Sequence, residues 1–362
     1  MNTKDLELLL GLSEILEGHK YFTGEDFTVY NALDSVFNDE EFERLHPRDK
    51  DGKFAKTNSD GESTESNVQK LHIPSPEYKA ILKKINEDKN KTIDPETIIN
   101  SYLKSSKFDG DVLRSRINEI NAEMDGIRLN KKDTQHKYKI NGEYIEDRKL
   151  KHENILKEIF ANKENAKPKN GERPKVIFLG GRGGSGKSKF DLPSDDNKGG
   201  VGVYDRSKYI VLDADDIKER MKPDYKGYNA AEVHEESSDI LNMALEKALN
   251  EGLNVVLDAT MKTKKSTLDK INRFKESKHN YDIEMYYMHL PLEKAAERAL
   301  GRFVGKHGKM DGRYVPLHVI LNDMKENENV FDELKHYASK WAFYNNDVPK
   351  QEDKPILIDK NY

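Results

Sequence analysis

Apolar positions change their rhythm near the middle of the chain. In residues 1–170 they recur at three- and four-residue steps within a strongly polar background. This predicts amphipathic helices over 5–16, 75–86, 94–105, 111–130 and 148–162. Leu6, Leu9, Leu10, Leu12, Ile15 and Leu16 form the stripe of the first. Ser75 and Asp94 are N-cap residues, each followed by proline at the first helical position, where a missing N–H costs nothing. Asn141-Gly142 is a tight-turn signal and predicts a small hairpin over 136–145. Residues 46–66 are polar and rich in Gly, Ser and Asp, and read as a loop or unstructured segment.

From residue 174 onward, short apolar runs alternate with helical patterns. The runs at 175–179, 209–212, 254–257, 283–290 and 355–358 show little apolar–polar alternation, as strands covered on both faces of a parallel sheet do. Helical patterns at 230–251, 264–277 and 292–302 lie between them. The order predicts an α/β fold of the P-loop NTPase kind, a parallel sheet with helices on both faces. Residues 166–173 have linker composition and divide it (171–362) from a mainly helical, charged N-terminal region (1–170).

Composition excludes several classes. The 362 residues carry a formal charge of −5, so no global field draws the chain to nucleic acid. Without cysteine there is neither a disulfide nor a thiolate metal site, which fits a reducing compartment. No apolar run approaches the ~18 residues of a membrane span, and the first residues lack the pattern of a signal peptide. The expectation is a soluble, cytoplasmic protein with no membrane partner.

The chemistry centres on Val176-Ile-Phe-Leu-Gly-Gly-Arg-Gly-Gly-Ser-Gly-Lys-Ser188, an apolar strand running into Gly-x-x-x-x-Gly-Lys-Ser. Gly181, Gly183, Gly184, Ser185 and Gly186 can turn successive N–H groups around a phosphate. Lys187 would reach the β- and γ-phosphates of ATP, and the Ser188 hydroxyl would ligate Mg²⁺. A helix starting behind the loop would add its dipole. Pro193 must shorten or kink that helix. The polar stretch that follows to Asp205 reads as a surface loop or a lid.

Carboxylates lie at two strand ends, where an open parallel sheet binds ligands. Tyr209-Ile-Val-Leu-Asp-Ala-Asp-Asp216 supplies Asp213, Asp215 and Asp216, and Val255-Val-Leu-Asp-Ala-Thr260 supplies Asp258. Phosphoryl transfer needs one carboxylate to orient and deprotonate the acceptor hydroxyl, and Asp215 and Asp258 are the candidates. Asp213 and Asp216 serve equally well as helix caps. Arg298, Arg302 and Arg313 sit in a glycine-rich stretch that could stabilise γ-phosphate charge or be only an exposed basic helix end.

Taken with Leu212-Asp-Ala-Asp215, His234-Glu-Glu-Ser-Ser238, Gly252-Leu-Asn-Val-Val-Leu-Asp-Ala-Thr260 and Gly312-Arg-Tyr-Val-Pro316, these residues resemble the zeta-toxin family over about 174–330. That family comprises P-loop kinases of toxin–antitoxin systems. The resemblance implies transfer from ATP, with Mg²⁺, to a sugar-nucleotide hydroxyl, the 3′-OH of UDP-N-acetylglucosamine, and an antitoxin partner. It makes Asp215 the general base, Lys187 the phosphate lysine and Ser188 the metal ligand. Asp258, Thr260 and Lys262 become substrate contacts, Arg302 and Arg313 γ-phosphate arginines, and Arg298 a helix-surface residue. Asn242, with Glu246 one turn on, falls nearest the family's substrate-binding carboxylate, and Asp258 stands where the family carries glutamate.

Residues 46–55 resemble a short motif of phage structural and mobile-element proteins, which implies such an origin. The N-terminal half would then target, package or inhibit the kinase, and the 5–16 helix would either mask the cleft in cis or be an ordinary packed helix. The competing readings are another nucleotide acceptor such as NAD, a nucleic-acid 5′ end, for which paired aromatics are not evident, and a phage structural or interaction protein with a nucleotide-binding module.

Overall fold

The computed structural model describes residues 72–362, apart from 107 and 306. The predicted helix over 5–16, the polar stretch 46–66 and the 46–55 fragment lie outside the described residues. Five helices precede the large sheet: α1 (Pro76–Asp88), α2 (Pro95–Ser105), α3 (Gly110–Leu129), α4 (Thr134–Tyr138) and α5 (Glu146–Ile159). Their starts follow from local chemistry. The Ser75 hydroxyl accepts from Tyr78 N at 3.1 Å and Asp94 from Glu96 N at 3.0 Å, each ahead of a proline. The hairpin strands β1 (Lys139–Ile140) and β2 (Glu143–Tyr144) meet at Asn141 and Gly142, whose φ values of 52° and 86° are those a type I′ turn demands.

Six further strands form one sheet: β3 (Lys175–Gly180), β4 (Ile210–Asp213), β5 (Val255–Asp258), β6 (Asp282–His289), β7 (Lys340–Asn345) and β8 (Ile356–Lys360). Their order is β4-β5-β3-β6-β7-β8. Neighbours from β4 to β7 pair in parallel, and β8 runs antiparallel to β7. Two expectations change here. β7 was not among the predicted strands, and the run at 355–358 belongs to an antiparallel edge strand rather than a buried parallel one. The link between β7 and β8 is too short for the crossover that a parallel pair needs, so the chain must reverse. Ile356 and Leu357 on that edge are 53% and 42% exposed.

Helices α6 (Ala214–Arg220), α7 (Ala230–Glu251), α8 (Lys264–Lys275), α9 (Leu292–Val304) and α10 (Asn327–Leu334) connect and cover the strands. The strand after β3 in sequence lies two places away on one side, and β6 lies adjacent on the other. β3 is therefore the switch point, and a crevice opens beyond its carboxyl end. The preceding helices pack on this scaffold. Tyr78 of α1 joins the core of the sheet, and Ile98, Leu113, Ile117 and Ile120 of α2 and α3 pack with Ala299, Leu300 and Phe303 of α9. Among the described residues no helix is long and apolar enough to cross a membrane.

Candidate functional site

The chain leaves β3 through a loop that only glycine permits at two points. Gly184 has φ +87°, and a Cβ there would lie 2.2 Å from the Ala295 carbonyl oxygen. Gly186 has φ +92°, and a Cβ there would lie 2.3 Å from Asn346 Nδ2. Lys187 Nζ donates to the Gly181 carbonyl at 3.0 Å and stands 3.6 Å from Asp258 Oδ1. Ser185 is fully buried. Its carbonyl accepts from Asn346 Nδ2 at 2.7 Å, and among the described residues its hydroxyl has no partner.

Behind the loop the expected α-helix is replaced by one 3₁₀ turn, Lys187–Phe190. The helix dipole anticipated for the phosphate is correspondingly reduced to that turn. Asp191 and Pro193 divert the chain, and the following segment bonds back on itself. Val201 N donates to Lys189 O at 2.7 Å, Val203 N to Phe190 O at 2.8 Å, and Asn197 Nδ2 to Ser188 O at 3.1 Å. Phe190 is completely buried, its ring 5.7 Å from that of Tyr344.

A cleft of about 570 Å³ opens above the strand ends. Gly183, Gly184, Gly186, Lys187 and Ser188 line one side of it, and Asp213, Asp215 and Asp258 another. Thr260, Lys262, Arg302 and Arg313 complete the set of predicted residues on its walls. Gly181 and Ser185 are set back from the wall, where they shape the loop.

The four strand-end carboxylates separate clearly. Asp213 Oδ1 accepts from Asp215 N at 2.8 Å and so caps α6. Burial, together with the neighbouring Asp258, pushes its carboxyl up to about 7. Asp258 is also raised, by burial, against the pull of Lys187. Asp215 goes the other way. Burial alone would raise it, but Lys218 Nζ at 3.1 Å and the ion pair with Arg313 outweigh that, and its carboxyl is held below the usual range. Asp216 turns away and pairs with Arg206 at 2.7 Å.

On the opposite wall Arg302 lies close enough to Arg313 that burial and this like charge both lower its pKa. Lys262 pairs with Asp323 at 2.7 Å, and the Thr260 carbonyl accepts from Asn327 Nδ2 at 2.7 Å. Arg298 lies on α9. It is half-buried beside the glycine loop, donates to Asn346 O at 3.3 Å, and faces a second cleft of about 380 Å³ with Gly184, Gly186 and Ser188. Its neighbour Asn346 follows β7, the strand that went unassigned. Asn242 and Glu246 both engage Arg273, with Arg273 Nη1 to Asn242 Oδ1 at 3.4 Å, and neither lines the cleft.

Sequence reasoning missed Lys218, which holds Asp215 and stands on the cleft wall. Its signal was its place one helical turn after Asp215. It also missed Arg182 within the glycine loop. That guanidinium is 2% exposed and donates to Leu290 O at 2.8 Å, to Met324 O at 3.2 Å and to Glu328.

A parallel sheet with a glycine loop at its switch point, facing carboxylates and arginines across one cleft, defines a P-loop-kinase-like α/β protein. The chain belongs to the Zeta toxin family, whose model matches residues 157–361. Among solved structures, the AvrRxo1-ORF1:-ORF2 complex with ATP is similar at 16% identity and TM-score 0.49, over 63% of this chain and 76% of that one. The PezAT chromosomal toxin–antitoxin system of Streptococcus pneumoniae is similar at 16% identity and TM-score 0.39, over 60% of this chain and 81% of that one. No curated protein matches the sequence.

Proposed function

We propose that the protein is an ATP- and Mg²⁺-dependent kinase that phosphorylates a sugar-nucleotide hydroxyl, with the 3′-OH of UDP-N-acetylglucosamine as the first acceptor to test. The observation that carries this reading is the single cleft shared by Lys187, Ser188, Asp215, Arg302 and Arg313. The loop amides and Lys187 hold the ATP phosphates. The nucleoside end extends past Gly186 toward the second cleft beside Arg298.

Asp215, kept ionised by Lys218 and Arg313, stands on the cleft wall and orients the acceptor hydroxyl, taking its proton as phosphoryl transfer proceeds, whereas Asp213 is occupied as the cap of α6. Arg313 is shared between Asp215 and the γ-phosphate oxygens, and Arg302 adds a second positive charge there. Asp258, Thr260 and Lys262 stand where the acceptor would lie. The donor set suits Mg²⁺. The Ser188 hydroxyl and the carboxylates of Asp213, Asp215 and Asp258 that share its cleft are hard oxygen donors, the kind Mg²⁺ takes together with substrate phosphates. Bound there, the ion would neutralise charge on the β- and γ-phosphates.

Purified protein given ATP, Mg²⁺ and UDP-N-acetylglucosamine should yield a phosphorylated sugar nucleotide by mass spectrometry. Asp215→Asn should reduce transfer by about 10²- to 10⁴-fold while ATP binding persists. Turnover of a different acceptor, with none of this one, would refute the acceptor. A neutralising partner belongs to the same reading, because PezAT is a toxin–antitoxin system. Growth arrest on expression, relieved by co-expressing a neighbouring reading frame, is its expected sign, and unimpaired growth of cells making active kinase would count against it.

A further inference from the structure

Both cleft arginines sit on residues 292–324, and the outer face of that segment is covered by helices that precede the region matched to the family. Segments that carry phosphate-binding arginines commonly move as lids. Here the apolar face that such a motion would bare is packed under α2 and α3. Leu113, Ile117, Ile120 and Met124 form a buried stripe along α3 at helical spacing. Asn121 stands within that stripe, four residues after Ile117 and three before Met124.

The segment itself is folded tightly. Gly312 N donates to Phe303 O at 3.2 Å, and a Cβ on Gly312 would lie 2.1 Å from the Arg302 carbonyl oxygen. This close return brings Arg302, in the last turn of α9, together with Arg313, in the loop beyond that helix. The next residue, Tyr314, is 2% exposed and is held from three directions. Its ring lies 4.8 Å from that of Phe303, its N–H donates to Gly227 O at 3.1 Å, and its hydroxyl donates to Asn121 Oδ1 at 3.0 Å. The bond is part-buried, with the Tyr314 side away from solvent, so losing either end leaves a polar group that water reaches poorly.

We propose that α2 and α3 are a built-in buttress for the arginine segment, and that Asn121 is a positioning residue for Arg313, acting through Tyr314. An apolar residue at 121 would continue the stripe. A polar one gives the contact a direction, because only one placement of the Tyr314 hydroxyl satisfies both groups. The backbone of Arg313, one residue away, is fixed with it, and the guanidinium is presented to Asp215 and the cleft. This rests on the reading of Arg313 as a phosphate arginine.

The test uses the full chain and three substitutions. Asn121→Ala and Tyr314→Phe each remove one end of the bond. Each should lower kcat about fivefold, with KM for ATP and acceptor unchanged within about twofold. The double variant should be no slower than either single one, and in an Arg313→Ala background neither change should cost anything further. Should no acceptor be turned over, ATP hydrolysis provides the same readout. Wild-type turnover by Arg313→Ala would remove the phosphate-arginine reading and this proposal with it. A loss in Arg313→Ala with none in Asn121→Ala or Tyr314→Phe would overturn the positioning role alone. Full, additive losses in the Arg313→Ala background would reduce the contact to a structural one and overturn it too.

Discussion

Two charged clusters in this protein use similar residues for opposite ends. The first lines the cleft: Lys187, Asp213, Asp215, Asp258, Arg302 and Arg313 around open space. The second joins α5 to α7. There Glu236, fully buried, accepts from Arg148 Nε at 2.5 Å, Arg148 Nη2 at 2.8 Å and His152 Nε2 at 2.6 Å, while Arg148 Nη1 reaches Asp224 at 2.7 Å. In the second cluster each charge meets its opposite. Burial would raise Glu236, but His152 and Arg148 overcome that and hold it at about 2. In the first, burial and the nearby Asp258 and Asp215 raise Asp213, and burial with Asp215 and Asp216 raises Asp258 against the pull of Lys187 and Arg313. Charge density therefore does not mark the site. Incomplete neutralisation beside a cavity does, since that is where an incoming phosphate or metal ion gains most.

The sharpest way to break the comparison is to remove a charge that is only partly used. Lys187→Ala should lower turnover about 10³-fold, because a developing phosphate charge loses its nearest cation. The same change should cost at most about 2 kcal/mol of stability, since it strands the Gly181 carbonyl and takes a cation from Asp258, whose raised carboxyl can take up a proton instead. Urea denaturation alongside kinetics separates the two. A variant that unfolds easily but still turns over would invert the assignment of this cluster.

Glu236→Gln tests the other side. It leaves Arg148 and His152 buried with a neutral partner, and should cost about 3 kcal/mol of stability. Turnover by the molecules that stay folded should change less than about twofold, because Glu236 does not line the cleft. Chemical denaturation measures the first expectation and kcat at low temperature the second. A large fall in kcat with an unchanged denaturation midpoint would make Glu236 part of the active machinery.

What could be read in advance follows the same division between local and distant causes. The glycine loop is contiguous, so spacing alone located Lys187 and Ser188. Asp258 ends β5 and Asp215 lies in the first turn of α6, two residues past the end of β4, so their positions followed once those strands were placed. The pairing of Arg302 with Arg313 required the resemblance, because it depends on the return of Gly312 onto Phe303. β7 escaped because its apolar run, Trp341 to Tyr344, is short, and its burial comes from β6 and β8. The contact of Arg298 with Asn346 went unread with it, since Asn346 follows that strand. α6 offers Ile217 as its one buried apolar side chain, too little to show a helical period. Glu236 sat inside a recognised motif, yet its partners Arg148 and His152 lie far back in the chain, where no spacing rule could connect them.

The smallest expected effect is on pH dependence, and it sets the two clusters against each other by sign. Glu236 is lowered to about 2 in the folded state from an ordinary 4.5. Its contribution to stability is therefore fully present above about pH 4.5 and is lost as pH falls toward 2. Asp213 is raised to about 7 from 3.8. The folded state then binds a proton that the unfolded state has released, so this group's contribution is full below about pH 3.8 and is lost as pH rises toward 7. Between pH 5 and 7 Glu236 keeps one charge state, and of the two clusters it is the raised carboxylates of the cleft, Asp213 and Asp258, that change. Asp213→Asn keeps the helix cap, because asparagine caps as well as aspartate. It should remove a slope of at most ~1.4 kcal/mol per pH unit from the difference between wild type and variant. Denaturation midpoints at pH 5, 6 and 7 measure that difference. Parallel curves would mean that Asp213 is ionised like any surface carboxylate, and the contrast between a strained cleft and a satisfied core would lose its electrostatic half.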